Sequence, residues 1–193
     1  MNLNPHYELR GKHAFLSPSS PYWLAYDENK LVTSYKNSMA KEIGTRKHAF
    51  AAEAIALGEK LQRSKRTLPM YVNDAIGFGM IPEQPVYYSD NCYGTADALS
   101  FKKNFLRIHD LKTGETPGKM DQLRVYASLF CLEYNVDPKS IGSELRIYQN
   151  DEILVCNPTP EELIDIMNHI VWADSIVERV KMDIRPRYEI GGM

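Results

Sequence analysis

Two aspartates constrain this chain more than any other feature. Within a stretch broken by the polar Lys102-Lys103-Asn104, Asp97 and Asp110 lie equally far from the point between Lys103 and Asn104. The flanking runs, Cys92 to Phe101 and Phe105 to Lys112, are rich in aromatic, β-branched and aliphatic residues, the pattern of two strands joined by a tight turn. A turn centred between Lys103 and Asn104 sets Asp97 opposite Asp110. Directly opposed residues share a face, and like charges there are destabilising unless something is bound between them. Strand periodicity adds Lys112 to the Asp110 face and turns Leu111 the other way.

Oxygen ligands suit Mg²⁺ and Mn²⁺, so two facing carboxylates are a natural cage for either ion. Such an ion supplies hydroxide near neutral pH and clamps phosphoryl oxygens, which is the chemistry of phosphodiester hydrolysis. A lysine beside it can offset charge growing on the phosphoryl group. Just downstream, Leu123, Ala127, Phe130 and Tyr134 form the apolar stripe of a helix, on which Gln122 and Tyr126, four residues apart, share a side. That helix can lay both polar groups beside the carboxylates.

Asp97, then Asp110-Leu111-Lys112-Thr113-Gly114, then Gln122-Leu123-Arg124-Val125-Tyr126-Ala127 resembles the signature of the PD-(D/E)XK nuclease superfamily, in its RecB-like and Cas4-like exonuclease branch. Upstream, Gly44-Thr45-Arg46-Lys47-His48 is similar to that branch's glycine-then-histidine helix motif. Residues 17–180 resemble small phage and prophage nucleases. The resemblance implies a metal-dependent deoxyribonuclease, most simply an exonuclease. It implies Asp97, Asp110, His48 and the Leu111 carbonyl as ligands of Mg²⁺ or Mn²⁺, and Lys112, Gln122 and Tyr126 as the remaining catalytic residues. It further implies DNA as substrate, a single-strand annealing protein as candidate partner, compatibility with an oligomer, and a bacterial or phage-infected cell as setting.

A chain of 193 residues with 44% hydrophobic and 25% charged content suits a single domain over 1–193, with a core that needs no staples. No apolar run long enough to span a membrane and no signal-peptide pattern stand out, so a cytoplasmic location is expected. The net charge of −2 argues against unspecific coating of DNA. Local cations read either as a solvated helix end and polar turns or as phosphate contacts: Lys60, Arg63, Lys65 and Arg66 in one run, and Lys102, Lys103 and Lys119 around the proposed site. Three scattered cysteines, Cys92, Cys131 and Cys156, cannot supply a four-cysteine iron–sulfur cluster.

The rest of the chain frames this centre. Tyr22, Trp23 and Tyr26 read as packing aromatics behind the turn-rich Ser17-Pro18-Ser19-Ser20-Pro21. Asp27 can cap a helix that Gly44 interrupts; a second helix starts at Thr45 with Phe50, Ala54, Leu57 and Leu61 as its core stripe. His48 lies nearly opposite that stripe, beside Ala51, Ala52 and Ile55. Glu53 is a candidate supporting group behind the ligands, and Glu83, ahead of the strand at Val86-Tyr87-Tyr88, reads more readily as a surface charge.

Beyond the central helix, Glu144–Gln149 and Glu152–Cys156 form a hairpin in which Arg146, Tyr148 and Gln149 either approach DNA or pack at the sheet. Thr159, Pro160 and Glu162 make a capping box opening the last helix, with fraying expected after Asp183. The resulting fold class is α/β, a mixed central β-sheet flanked by helices with a restriction-endonuclease-like core. Two rivals stand beside the exonuclease: a structure-specific endonuclease with the same site, and a non-catalytic DNA-binding protein on a nuclease scaffold.

Overall fold

The structure is a computed structural model that describes residues 6–9 and 11–188. The chain divides into two compact units, 1–46 and 47–193. In the first, a 3-10 turn at Pro21–Ala25 precedes helix α1, Glu28–Leu57, which continues into the second unit. Asp27 caps α1 as expected, its Oδ1 accepting from Lys30 N at 2.7 Å. Trp23 Nε1 donates to the Ser17 carbonyl, but Tyr22 is exposed, so not all of the aromatic group packs.

Two expectations about α1 fail. Gly44 does not interrupt the helix and Thr45 opens no new one, because the Thr45 hydroxyl donates back to the Lys41 carbonyl within a continuous ladder. A helical glycine costs about 1 kcal/mol, too little to end a helix this long. Nor do Phe50 and Leu57 form the core stripe; both are exposed, while Ala51, Ala54 and Ile55 are buried. Small side chains let the helix approach its neighbours closely, so the face carrying His48, Ala51 and Ile55 is the packed one. Gly58, in the left-handed region at φ 71°, ends α1 and leaves Leu61 outside it.

The second unit is built on a sheet. Among the described residues five strands, β1 Ile81–Ser89, β2 Cys92–Lys102, β3 Phe105–Leu111, β4 Gly142–Gln149 and β5 Glu152–Cys156, lie in sequential order. β1, β2 and β3 form an antiparallel meander, β4 runs parallel to β3, and β5 returns antiparallel, so the sheet is mixed. Helices α2, Thr67–Phe78, α3, Met120–Glu133, and α4, Pro160–Tyr188, flank it. The β3–α3–β4 crossover makes the parallel pair possible. The β2–β3 and β4–β5 turns, Lys103-Asn104 and Asn150-Asp151, have positive φ at their two central residues, the geometry that matches strand twist.

Two apolar clusters sandwich the sheet. One joins Leu123, Ala127 and Phe130 of α3 and Leu163 and Ile170 of α4 to Val86, Leu106, Ile108, Leu145 and Ile147. The other joins Ala51, Ala54 and Ile55 of α1 and Tyr71, Val72 and Ala75 of α2 to Ala98, Leu111 and Tyr148. The capping box at α4 forms, with Glu162 N donating to Thr159 Oγ1 and Thr159 N to Glu162 Oε2. That helix continues past Asp183 to Tyr188; the remaining tail, 189–193, lies outside the described residues. Among the described residues no helix is long and apolar enough to cross a membrane.

Candidate functional site

The β2–β3 ladder pairs Ala98 with His109 and Leu99 with Ile108, the register that equal spacing about Lys103-Asn104 requires. Continued one step, it brings Asp97 to Asp110. On the other side, β1 pairs Pro82 with Ala98 and Gln84 with Ala96, which brings Glu83 to Asp97. Neither of these two pairs belongs to the regular ladder, and Glu83 has φ 49°. Residues two apart on a flat strand share a face, yet Ala96 packs in the first cluster and Ala98 in the second. The strand turns over at Asp97, and three acids on three neighbouring strands meet there.

His48 arrives from α1, its Nδ1 3.5 Å from Asp97 Oδ2. One donor atom each from His48, Glu83 and Asp97 lies within 4.8 Å of the others. Asp97 Oδ2 also accepts from Leu111 N at 2.8 Å. Asp110 is 3% exposed; its Oδ1 accepts from Lys112 Nζ at 3.0 Å, while its buried Oδ2, equally near that ammonium, receives no hydrogen bond. Lys112 Nζ donates onward to Gln122 Oε1 at 3.0 Å, and Gln122 Nε2 to the Tyr126 hydroxyl at 3.3 Å. The five residues expected to carry the chemistry thus form one constellation, and His48 adjoins it.

Charge is unbalanced in this cluster. Burial, then Asp97, pushes the Asp110 carboxyl above the usual carboxylate range, although Lys112 opposes the shift. Partial desolvation, then Asp97, raises Glu83. The hydrogen bond to Asp97 raises His48 against its own desolvation. Behind the site Tyr71, 2% exposed, is kept protonated by burial and then by Asp97, Glu83 and Asp110. Acids whose pKa values are raised by burial and by one another's charge lie where positive charge is in short supply. A divalent cation fits that deficit and the oxygen-rich donor set.

The backbone makes room for the arrangement. A Cβ on Gly94 would stand 2.8 Å from Tyr126 Cε1, so the absent side chain lets the phenol ring lie on β2. Gln149 fixes the loop between Lys112 and α3: its Nε2 donates to the Gly114 and Thr116 carbonyls and its Oε1 accepts from Gly118 N.

Other candidates sit elsewhere. Glu53 is exposed on α1 and is not one of the three clustered donors. Lys102 Nζ donates to the Phe78 and Gly79 carbonyls, closing the C-terminus of α2. It and Lys103 occupy the hairpin tip, five strand residues and roughly 17 Å from Asp97. Lys119 is exposed at the start of α3, three residues before Gln122. Arg66 is paired with Asp151 at 2.7 Å.

Tyr148 does not approach the surface; it is fully buried, its hydroxyl donating to Asp74 at 2.7 Å and lying 3.3 Å from His109 Nδ1. Arg146 binds Glu144 and Asp74 in the same network. Packing at the sheet is therefore the outcome for both, since β4 is an inner strand with partners on either side.

Glu83 is the residue that sequence reasoning undervalued. Counting back from the Ser89-Asp90-Asn91 turn, as was done from Lys103-Asn104, would have set it against Asp97. The chain matches no protein-family model, no curated protein and no solved structure.

Proposed function

We propose that this chain is a metal-dependent deoxyribonuclease that hydrolyses phosphodiester bonds, most simply an exonuclease, as its resemblance to the PD-(D/E)XK superfamily implies. The observation that carries the reading is the cluster of His48, Glu83 and Asp97 donor atoms beside the buried Asp110, which is ion-paired with Lys112. Asp97, Asp110, His48, Glu83 and the Leu111 carbonyl would hold Mg²⁺ or Mn²⁺. When bound, such an ion supplies an acidified water and positive charge for the phosphoryl oxygens.

The chain's own groups do the rest. An ammonium has three N–H donors; Lys112 spends two on Asp110 and Gln122, leaving one for a phosphoryl oxygen or the attacking water. Gln122 holds the Tyr126 phenol by its oxygen, so the phenolic O–H remains to donate to the DNA backbone. Hydrolysis forms one P–O bond from water and breaks the P–O bond to the leaving sugar oxygen, which takes up a proton. Asp97 and Asp110 must be ionised, as bound metal would keep them.

The direct test incubates the purified protein with linear and with covalently closed circular DNA, with Mg²⁺ or Mn²⁺ and with chelator. Metal-dependent loss of linear DNA alone supports an exonuclease; cutting of the closed circle supports the endonuclease with the same site. Absence of cleavage on every DNA form under all metals would refute the enzyme and leave the binding scaffold. The resection of ends for a single-strand annealing partner in the cytoplasm of a bacterial or phage-infected cell belongs to the same proposal.

A further inference from the structure

Beside Lys112 a cleft of about 320 Å³ opens between α1, the start of α2, the end of β3 and the β4–β5 turn. It lies at the carboxyl ends of the parallel strands β3 and β4, where open α/β sheets bind ligands. Lys47, Arg66, Lys112, Thr113 and Thr67 line it, with Asp151 as its acid. Asp151 is already committed. Its Oδ2 accepts from Arg66 and its Oδ1 from both the backbone N–H and the hydroxyl of Thr67, while its own N–H donates to that hydroxyl.

What remains unspent is donor capacity. Lys47 is exposed and forms no ion pair among the described residues. Arg66 has further guanidinium N–H groups beyond the one facing Asp151. The Thr113 hydroxyl is exposed on the loop that leaves Lys112. Adjacent helix positions are turned by about 100°, so His48 can face the carboxylates while Lys47 faces the cleft. Excess cationic donors around a space the size of one nucleotide suit an anion, and the anion nearest a scissile phosphate is the next one on the same strand.

We propose that this cleft is a backbone subsite that seats the phosphodiester adjacent to the one being cut, held by Lys47 with help from Arg66 and Thr113. The inference rests on the nuclease reading for its geometry, but it adds where the strand runs. It also predicts recognition of the backbone alone, without base preference.

The test uses the full chain and fluorescein-labelled oligonucleotides, each carrying one uncharged methylphosphonate at a successive linkage. Binding is read by anisotropy across a salt series and cleavage by gel. Lys47→Ala should weaken binding about tenfold, equally across sequences, and lower the salt slope by about one. Lys47→Arg should restore both, and Lys139→Ala, on the 3-10 turn before β4, serves as charge-matched control. One methylphosphonate position should cost wild type the same factor and cost Lys47→Ala nothing further. Equal binding by wild type and Lys47→Ala, or losses that multiply at every linkage, would overturn the subsite. Failure of cleavage with Lys47-dependent binding intact would instead refute the nuclease reading, and with it the scissile neighbour, while leaving the cleft as a backbone-phosphate site.

Discussion

The backbone N–H of Leu111 donates to Asp97 Oδ2 at 2.8 Å, just where the regular β2–β3 ladder has ended at Ala98 and His109. A side chain thereby takes over the hydrogen bond that a strand partner would ordinarily accept. Asp97 is both a structural acceptor and one of three crowded acids, and its two tasks can be separated by substitution.

Asp97→Asn keeps an acceptor for Leu111 and removes a negative charge from beside Asp110 and Glu83. Without divalent ions this variant should be as stable as wild type or more so, whereas Asp97→Ala should be about 1–2 kcal/mol less stable than Asp97→Asn. Both should lose metal-dependent cleavage. Urea unfolding in chelator checks the ranking; if the proposed site takes up Mg²⁺, repeating it with that ion should raise the midpoint of wild type alone. An Asp97→Ala variant no less stable than Asp97→Asn would remove the structural half of this account.

Lys112 and Asp110 form a second separable pair. Asp110 is buried, and Lys112 is the nearest charge that favours its ionised form. Lys112→Met should leave the carboxyl uncompensated and drive its pKa higher still. Asp110→Asn in that background should then recover part of the lost stability. A double-mutant cycle should return a coupling of about 1–3 kcal/mol, measured at pH 7 without divalent ions. Additive effects would mean that the ammonium is anchored by Gln122 alone.

The parts legible in sequence were those set by short-range arithmetic. Equal spacing about Lys103-Asn104 fixed the β2–β3 register, helical spacing placed Gln122 with Tyr126, and Thr159 with Glu162 marked the start of α4. Long-range competition decided the rest. Phe50 and Ala51 are both apolar, and only the close approach of Tyr71 and Leu111 selects the alanine face for burial. Gly44 and Thr45 signal a break locally, but the helix ladder across them outweighs the penalty. Lys102 is chemically suited to a phosphate, yet the C-terminal carbonyls of α2 lie nearer. Glu83 needed a second hairpin to be counted, and its positive φ could not be read from a glutamate.

Gly94→Ala tests the contact between β2 and α3. A methyl group 2.8 Å from Tyr126 Cε1 must displace the ring or the strand, at a cost of about 1–3 kcal/mol. Displacement would also pull the phenol away from Gln122 and should lower kcat. Gly94→Ala combined with Tyr126→Ala should be destabilised far less by the added methyl, because the clash is gone. An equal penalty in both backgrounds, measured by thermal unfolding, would place the strain elsewhere.

His109 supplies a pH dependence of stability. Burial, with Arg146 and Arg107 nearby, lowers its pKa to about 3, against about 6.5 in the unfolded chain. Between those values the unfolded state binds the extra proton, so stability falls as pH is lowered from about 6.5 toward 3. Above 6.5 this contribution is complete. His109→Phe should flatten that limb of the stability curve, read by urea unfolding from pH 7 to pH 4, after correction for the carboxyls that titrate in both proteins. An unchanged slope would show that the imidazole is solvated.

Gln149 offers the sharpest test of loop positioning. Its amide bridges two carbonyls and one N–H of the segment that leads from Lys112 to α3, so it sets the reach between the lysine and the Gln122–Tyr126 pair. Gln149→Ala removes all three bonds; Gln149→Glu retains an acceptor for Gly118 N but sets a carboxylate against two carbonyls. If the clamp aligns Lys112, both variants should lower kcat by about tenfold or more while leaving the metal concentration for half-maximal rate nearly unchanged. Such a loss corresponds to about 1.4 kcal/mol of transition-state stabilisation. A purely structural role would lower the unfolding midpoint and leave kcat of the folded fraction intact, and that result would discard the positioning argument.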